Sequence, residues 1–245
     1  MEWFKDLYDK LRLKTTFGNI PLARTRKEVS WMKEVAGLSK GNRVLDLFSG
    51  IGRHSIELAR RGYAVTSVEY QKDYIKIAKR DAGRLRSKIK FIRGDVRKVK
   101  FGEGFDTVLI MYNSFGYFND RDEHALLKKI AYTIKSGGNL ILEILNRDWI
   151  ERNFLPSSER KVGDLQIIEK RKYLASKHRM HSVLRYFKAN KELGKITMSW
   201  RLYTFPEIKK LLENTGFSVI ETFEDMKARK ISPATRLMQI VSKRD

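Results

Sequence analysis

The sequence of 245 residues contains no cysteine. Without cysteine the chain cannot form a disulfide framework, a Cys-ligated zinc site or an iron–sulfur cluster, and it has no thiol nucleophile. Methylation at carbon 5 of a pyrimidine normally proceeds through a covalent cysteine adduct, so this reaction is excluded as well. The absence of one residue type therefore removes a class of catalysis before any motif is considered.

The sequence also lacks an apolar run of the roughly 18 residues that a membrane span requires. Its first residues, Met-Glu-Trp-Phe-Lys-Asp-Leu-Tyr, do not have the pattern of a secretory signal peptide. We therefore expect a cytoplasmic protein with no membrane partner. The four histidines have no metal-ligand spacing, so we expect no metal site and interpret them as surface or hairpin residues: His54, His124, His178 and His181.

Acidic residues are scarce relative to basic ones, with 29 Asp and Glu against 51 Lys and Arg and a formal net charge of +22. Glutamine is rare too, and a composition poor in Gln and Cys but rich in charge is typical of hyperthermophile proteins. Ion-pair networks need both signs, however, and a cationic excess of this size repels itself unless a polyanion offsets it. The charge therefore predicts contact with nucleic acid, and ribosomal or transfer RNA is the expected partner.

Strands and helices alternate through residues 41–150, which predicts βαβ units in a mostly parallel sheet with helices on both faces. The fold class expected is α/β, a doubly wound Rossmann-like sheet with an antiparallel C-terminal strand. The predicted strands are 44–48, 64–69, 89–93, 105–111 and 139–145, and the predicted helices are 53–61, 72–86 and 120–135.

The pattern changes after residue 150, where alternating β-rich segments at 162–174, 179–190 and 195–205 predict consecutive hairpins. A helix over 206–214 and strands over 217–223 and 237–242 then return to the first pattern. Three units are therefore expected: an N-terminal helical lid segment over 1–40, a cofactor-binding domain over 41–150 and 206–245, and a β-rich insertion over 151–205.

The insertion has the densest positive charge of the chain, with 13 Lys and Arg against 5 Asp and Glu. Lysine and arginine side chains bind backbone phosphates, and neighbouring aromatic side chains can stack on bases. The insertion is therefore the predicted substrate-binding and nucleic-acid-binding unit. Its candidate residues are Lys170, Arg171, Lys172, Arg179 and Arg185.

Three acidic residues follow three successive predicted strands. Asp46 lies at the end of the first strand, before Gly50-Ile-Gly52; Glu69 ends the second and Asp95 follows the third. Glycines at a strand-to-helix turn let a ligand approach the main chain, and an acid after the second strand can accept both hydroxyls of a ribose. Because the carboxyl ends of parallel strands share one edge of the sheet, the sequence predicts a nucleotide-like ligand site there.

Together with Tyr112-Asn-Ser-Phe-Gly-Tyr-Phe118, these motifs resemble those of class I S-adenosylmethionine-dependent methyltransferases, and with the charge they suggest an archaeal RNA-modifying member. The resemblance covers residues 40–148 and implies S-adenosylmethionine as the cofactor. It also implies the binding roles that follow. Gly50 and Gly52 would face the methionine part, Glu69 would bind the ribose, Tyr70 would lie against the adenine, and Asp95 and Val96 would contact the adenine edge. Asp46 is a further cofactor-binding residue, and Tyr8, Arg24 or Arg26 would contact the methionine carboxylate.

The segment after the fourth strand supplies the candidate catalytic residues. Asn113 can accept a hydrogen bond from an exocyclic amine, and the rings of Phe115, Tyr117 or Phe118 can stack on a planar base. The favoured hypothesis is methyl transfer to a base nitrogen of rRNA or tRNA, such as cytidine N4. Two alternatives stay open at this point: methylation of a small-molecule amine or carboxylate, and a non-enzymatic RNA-binding module.

Overall fold

The computed structural model describes residues 10–86 and 88–245. Helices alternate with strands in the first two thirds of the described chain, and strands dominate the rest. The helices are α1 Lys10–Thr15, α2 Leu22–Val35, α3 Arg53–Arg60, α4 Lys72–Arg84, α5 Asp120–Thr133, α6 Arg147–Arg152 and α7 Phe205–Glu213, with 3₁₀ turns at Phe17–Asn19 and Ala175–Lys177. The strands are β1 Arg43–Leu47, β2 Ala64–Glu69, β3 Ile89–Arg93, β4 Phe105–Ile110, β5 Ile134–Leu145, β6 Ser157–Val162, β7 Leu165–Leu174, β8 Arg179–Lys188, β9 Lys191–Arg201, β10 Phe217–Glu224, β11 Lys227–Ala228 and β12 Leu237–Arg244.

Eight strands form one sheet in the order β11-β10-β12-β5-β4-β1-β2-β3. Strands β3, β2, β1, β4 and β5 run parallel to one another. Strand β12 is antiparallel to β5, and β10 is antiparallel to β12. This arrangement confirms the predicted α/β sheet with an antiparallel C-terminal end.

Helices cover both faces of this sheet, because its central strands are apolar on both sides. On one face α5 and α7 contribute Leu127 and Leu212 to a buried cluster with Val108 and Leu140 of the sheet. On the other face α2 and α3 bury side chains such as Met32 against the sheet. The sheet edges at the strand ends therefore stay available for ligands.

The other four strands form a separate antiparallel sheet in the order β6-β7-β8-β9. One of its faces packs a cluster of Met180, Trp200 and Leu202 against Tyr117, which belongs to the loop after β4. The backbone amide of Arg201 donates to the Gly116 carbonyl at 2.7 Å, so the same loop is also tied to the edge of β9. This second sheet therefore lies beside the carboxyl-terminal edge of the first.

Helix α1 packs on the second sheet as well. Leu11 contacts the cluster formed by Ile167, Leu184, Tyr186 and Ile196, and the guanidinium of Arg160 donates to the Thr15 carbonyl at 3.2 Å. The N-terminal part of the described chain is thereby held between the two sheets.

Several element boundaries differ from those predicted. Helix α5 ends at Thr133 and β5 begins at Ile134, so the Gly137-Gly138 pair lies inside the strand rather than at a helix end. Helix α6 and strand β6 were not predicted; β6 reads Ser-Ser-Glu-Arg-Lys-Val, an edge strand with no alternation of apolar residues. No helix of the described chain is long and apolar enough to cross a membrane.

Candidate functional site

The three acids at the strand ends lie around one cavity at the carboxyl-terminal edge of the large sheet. The cavity is concave and partly open to solvent, and its wall is formed by residues from β1, β2, α3, α4, the N-terminal segment and the loops after β3 and β4. Of the predicted residues, the cavity wall contains Asp46, Gly50, Glu69, Tyr70, Asp95, Val96, Tyr117 and Phe118.

Glu69 is held at the end of β2 by backbone donors. The amide of Gly50 donates to its Oε2 at 2.8 Å and the amide of Gln71 to its Oε1 at 2.7 Å. Burial nevertheless raises the pKa of Glu69 above its ordinary value, and the amide donors only partly offset that effect. Gly50 has φ +57° and open space where a side chain would begin, so the backbone at this turn can be approached closely by a ligand.

Asp46 forms the floor of the cavity. Its side chain is buried and its Oδ2 accepts a hydrogen bond of 2.5 Å from the Ser55 hydroxyl at the start of α3. Desolvation raises the pKa of Asp46, against the opposing effects of His54, Ser55 and Arg53.

Asp95 faces the cavity while it is bound to Arg97. The guanidinium of Arg97 donates to Oδ2 of Asp95 at 2.6 Å through Nη2, and its Nε lies 3.1 Å from each carboxylate oxygen. The same guanidinium stacks 4.2 Å from the centroid of the Phe118 ring. Arg97 therefore holds both an acid and an aromatic ring of the cavity wall, a role that was not predicted from the sequence.

The predicted aromatic residues form the wall next to the second sheet. Tyr117 lies edge-on to Phe48 at 5.7 Å between ring centroids, and Phe48 lies 6.2 Å from Phe118. Burial raises the pKa of Tyr117, so its hydroxyl keeps its proton at neutral pH. Phe115, in contrast, is buried in the core against Tyr203 and does not line the cavity.

The N-terminal segment closes the cavity with residues that were not singled out from the sequence. Phe17 contacts Tyr74 at 5.4 Å and Tyr112 at 6.0 Å between ring centroids. Arg12 lies over Phe17, and its Nη1 is buried with no hydrogen-bond partner among the described residues. A buried guanidinium nitrogen without a partner at a cavity wall is a suitable donor for an anionic group of a ligand.

A buried His–Glu pair links α2 to the glycine turn. Nε2 of His54 lies 2.7 Å from Oε2 of Glu28, and Arg53 is bound to the same carboxylate. The charges and hydrogen bonds of His54 and Arg53 overcome burial and hold the pKa of Glu28 well below its ordinary value. The expectation that His54 is a surface residue was wrong: it is 5% exposed and lines the cavity.

Three predictions for ligand-binding residues, Gly52, Arg24 and Arg26, need correction, and a fourth, Tyr8, stays untested. Gly52 does not line the cavity; it has φ +73°, and a Cβ there would lie 2.9 Å from Ala78 Cβ, so its smallness serves the packing of α3 on α4. Arg24 is paired with Glu28 at 2.9 Å and with Asp225 at 2.7 Å, away from the cavity wall. Arg26 is exposed, and Tyr8 lies outside the described residues.

Asn113 also occupies a structural position. Its Oδ1 accepts from the Leu145 amide at 2.9 Å and its own amide donates to the Glu143 carbonyl at 3.1 Å, with φ +55°. The side chain therefore joins the end of β4 to the end of β5. It is absent from the cavity wall, so the predicted hydrogen bond to an acceptor amine has no support from this geometry.

The basic insertion does not present its candidate residues to the cavity. Arg179 donates to the carbonyl of Phe118 at 2.9 Å and so fastens the second sheet to the loop after β4. Arg171 is bound to Glu169 and to Ser158, and Arg185 is paired with Glu192 at 3.2 Å. Lys170 and Lys172 are exposed and alternate along β7 with Tyr173, which packs in the cluster next to Tyr117, so both lysines lie on the opposite face of the sheet.

No group of three or more His, Asp or Glu side chains suited to holding a metal ion occurs among residues 10–86 and 88–245. The chemistry of the cavity wall is instead that of buried acids, aromatic rings and two arginines, Arg12 and Arg53.

Residues 44–138 match a protein-family model described as a methyltransferase domain. Glycine N-methyltransferase of Rattus norvegicus is 30% identical over 142 residues, which cover 52% of this chain and 48% of the rat protein. The 23S rRNA (uracil(747)-C(5))-methyltransferase of Pyrococcus horikoshii is 38% identical over 142 residues, 56% of this chain and 32% of that protein. The chain thus spans half or less of the length of the curated relatives it matches.

The fold extends further than the sequence similarity. The structure of an S-adenosylmethionine-dependent methyltransferase from Clostridium acetobutylicum superposes with a TM-score of 0.82 at 14% identity, covering 95% of this chain and 96% of that one. The shared fold therefore includes the second sheet as well as the first.

Proposed function

We propose that this chain, which carries a methyltransferase domain over residues 44–138, transfers a methyl group from S-adenosylmethionine to a small-molecule amine held in the cavity. The observation that carries the proposal is the set of residues that line one cavity. Acids at the ends of three strands, an open glycine turn and the aromatic loop after β4 all line it. Glycine N-methyltransferase among the relatives supports an amine as the acceptor.

The cavity fits the cofactor at three points. Glu69 provides buried carboxylate oxygens at the end of β2, where the two hydroxyls of a ribose can donate to them. Gly50 leaves the main chain open, and a Cβ at this position would have no neighbour within 4 Å. Nη1 of Arg12 is a buried donor with no hydrogen-bond partner among the described residues, so it can donate to a carboxylate of the ligand. S-Adenosylmethionine has both a ribose and a carboxylate, and the open main chain at Gly50 allows it to approach the protein closely.

S-Adenosylmethionine supplies an electrophilic methyl group when bound, so the demanding part of the chemistry belongs to the cofactor. The protein's task is to hold the nucleophile in line with that methyl group and to keep water out. Phe48, Tyr117 and Phe118 give the acceptor side an aromatic wall. The Tyr117 hydroxyl is hydrogen-bonded to Ser114, and burial raises its pKa, so this part of the wall is uncharged at neutral pH.

The position of the insertion favours a small acceptor over RNA. Lys170 and Lys172 lie on the face of the second sheet that is turned away from the cluster at Tyr117. An RNA strand bound to them would have the thickness of the sheet between its phosphates and the cavity. The Pyrococcus relative makes RNA the competing acceptor, although the absence of cysteine leaves no residue for the adduct used in pyrimidine C5 methylation.

The cofactor part of the proposal is tested by titration calorimetry with S-adenosylhomocysteine. Glu69→Ala removes a buried acceptor of hydrogen bonds and should weaken binding about tenfold or more, because hydrogen bonds to charged groups contribute about 1.5–3 kcal/mol. Glu57→Ala is the matched control, since Glu57 is paired with Arg60 and Arg61 and is absent from the cavity wall. Equal affinity of the two variants would show that Glu69 is not in the cofactor site.

The acceptor part is tested by transfer of a tritiated methyl group into glycine, a metabolite extract and total RNA. We expect label in the small-molecule fractions, and we expect Lys170→Ala/Lys172→Ala to leave that transfer unchanged. Label that appears in RNA alone, and is lost in the double variant, would replace the small-molecule proposal by the RNA alternative.

A further inference from the structure

A second concave surface lies at the opposite edge of the large sheet from the cavity. The first residues of three neighbouring strands, Arg43, Ala64 and Ile89, lie along it, whereas the cavity is built at the other ends of the same strands. The loop after α3 and the end of α4 form its sides. We call this surface the amino-end groove; it is shallow and opens broadly to solvent.

Every charged residue that lines the groove is a cation. The acids of the flanking helices are already used, because Glu57 is paired with Arg60 and Asp81 with Arg80. The exposed cations beyond the end of α4 are not among the ion pairs found between described residues. The groove is lined by Arg43, Arg60, Arg86, Lys88 and Lys90, together with Gly41, Ala59, Gly62, Tyr63, Ala64, Val65, Thr66, Leu85 and Ile89.

Glu57 offsets the charge of Arg60, and Asp106 lies against the backbone amide of Arg43, but no acid is among the lining residues themselves. The remaining cations repel one another, and a polyanion relieves that repulsion by displacing small counterions. Backbone phosphates of a nucleic acid satisfy this requirement without any need for base-specific contacts. Lys88 and Lys90 reinforce the match, because both are exposed at the outer strand of the sheet, where an extended chain can lie along them.

We propose that the amino-end groove binds the phosphate backbone of single-stranded nucleic acid, through Arg43, Arg86, Lys88 and Lys90. The bound strand lies at the far edge of the sheet and is therefore not the methyl acceptor. The proposal goes beyond methyl transfer and does not depend on it, since the groove shares no lining residue with the cavity.

The test is fluorescence anisotropy with a labelled single-stranded RNA oligonucleotide, and a DNA oligonucleotide of the same sequence, over about 50–200 mM salt. Each phosphate contact contributes about 0.7 to the slope of log affinity against log salt for single strands. Lys88→Glu/Lys90→Glu should therefore lower the slope by about 1.4 and weaken binding about tenfold or more. Equal binding of both oligonucleotides is expected if the phosphates alone are read.

Lys170→Glu/Lys172→Glu is the matched control, because it changes the net charge by the same amount on an exposed strand of the other sheet. We expect it to keep the wild-type slope. An equal loss in both double variants would mean that net charge alone governs binding, and a loss confined to the control would move the contact to the insertion; either result overturns the proposal. So does the absence of binding by the wild-type protein at about 50 mM salt.

Two further measurements keep the result interpretable. Thermal unfolding of Lys88→Glu/Lys90→Glu should match the wild type, and Arg86→Glu, outside any helix or strand, repeats the test if it does not. Saturating S-adenosylhomocysteine should leave nucleic-acid affinity unchanged, because the two sites are at opposite strand ends. Competition between the two ligands would contradict the proposed location, whereas a protein that fails to bind the cofactor could still pass every arm of the oligonucleotide test.

Discussion

Glu123 in α5 is deeply buried, and only one of its two carboxylate oxygens accepts a hydrogen bond from the described residues. Its Oε1 accepts from the amides of Gly116 at 3.0 Å and Phe118 at 2.9 Å, so it holds the loop that carries Tyr117. Its Oε2 is buried and has no hydrogen-bond partner in the described part of the chain. Burial raises the pKa of Glu123 to about 7, although the two amides and the charges of Arg179 and Arg97 oppose the shift.

The stability consequence follows from the direction of that shift. Below pH 4.5 the carboxyl is protonated in both the folded and the unfolded chain. Between pH 4.5 and about 7 the unfolded chain releases the proton while the folded chain keeps it, so the free energy of unfolding falls as pH rises. A difference of about 2.5 pH units at 1.36 kcal/mol per unit gives a loss of about 3 kcal/mol, complete above pH 7.

Glu123→Gln removes this titration while it keeps an oxygen to accept from the two amides. We expect the variant to match or fall slightly below the wild type at pH 5 and to be more stable by up to about 3 kcal/mol at pH 8. The measurement is urea denaturation of both proteins at several pH values between 5 and 8.5. Asp46 and Glu69 also have raised pKa values, but they are present in both proteins and cancel in the difference.

Glu57→Gln provides the contrast, because the pKa of Glu57 is lowered by its hydrogen bonds to Arg61 and Arg60 despite partial burial. A carboxyl group whose pKa is lower in the folded chain than in the unfolded chain stabilises the fold at pH values above its unfolded-state pKa. That stabilisation is lost as pH falls through the folded-state pKa. The Glu57→Gln difference should therefore be constant from pH 6 to 8.5. If the Glu123→Gln difference is equally constant over this range, the buried carboxyl does not keep its proton and the reasoning fails.

Two further substitutions, each with a matched control variant, test the corrected residue roles by chemical denaturation. Gly52→Ala should cost about 2–4 kcal/mol, because the new Cβ adds a 2.9 Å clash with α4 to the strain of φ +73°. Gly50→Ala should cost only about 1–2 kcal/mol in strain, since its surroundings are open; equal losses would refute the packing role of Gly52. Arg179→Gln should lower stability by about 2 kcal/mol through the lost bond to the Phe118 carbonyl, and Arg185→Gln should stay within about 0.5 kcal/mol as an exposed pair. A neutral Arg179→Gln would return that residue to the surface role expected from the sequence.

The sequence predicted the parts of the site that depend on local order. Asp46, Glu69 and Asp95 each follow a short apolar strand, and parallel strands bring their carboxyl ends to one edge. That rule needs no knowledge of distant contacts, so it placed all three acids at one cavity correctly. The alternation of strands and helices predicted the parallel part of the sheet, whereas the antiparallel C-terminal end was implied by the family resemblance.

The parts that the sequence did not predict depend on contacts between distant segments. Arg12 reaches the cavity only because Leu11 packs on the second sheet more than 150 residues later. The basic residues of the insertion are equivalent in the sequence, yet Arg179 is half-buried and bonded to the loop at 116–118, while Lys170 is exposed. The packing of the two sheets decides which face of a strand is covered, and this cannot be read from composition.

The contact of Phe17 with Tyr74 and Tyr112 has a consequence for the timing of events at the cavity. The first ring belongs to the N-terminal segment, the second to α4 and the third to the loop after β4, so one cluster joins three parts of the wall. All three residues line the cavity, so one part of its wall depends on contacts between separate chain segments. We expect separation of the Phe17 ring from its neighbours to widen the cavity and to speed the exchange of a bound molecule. These aromatic side chains therefore affect the rate of ligand exchange as well as the shape of the cavity.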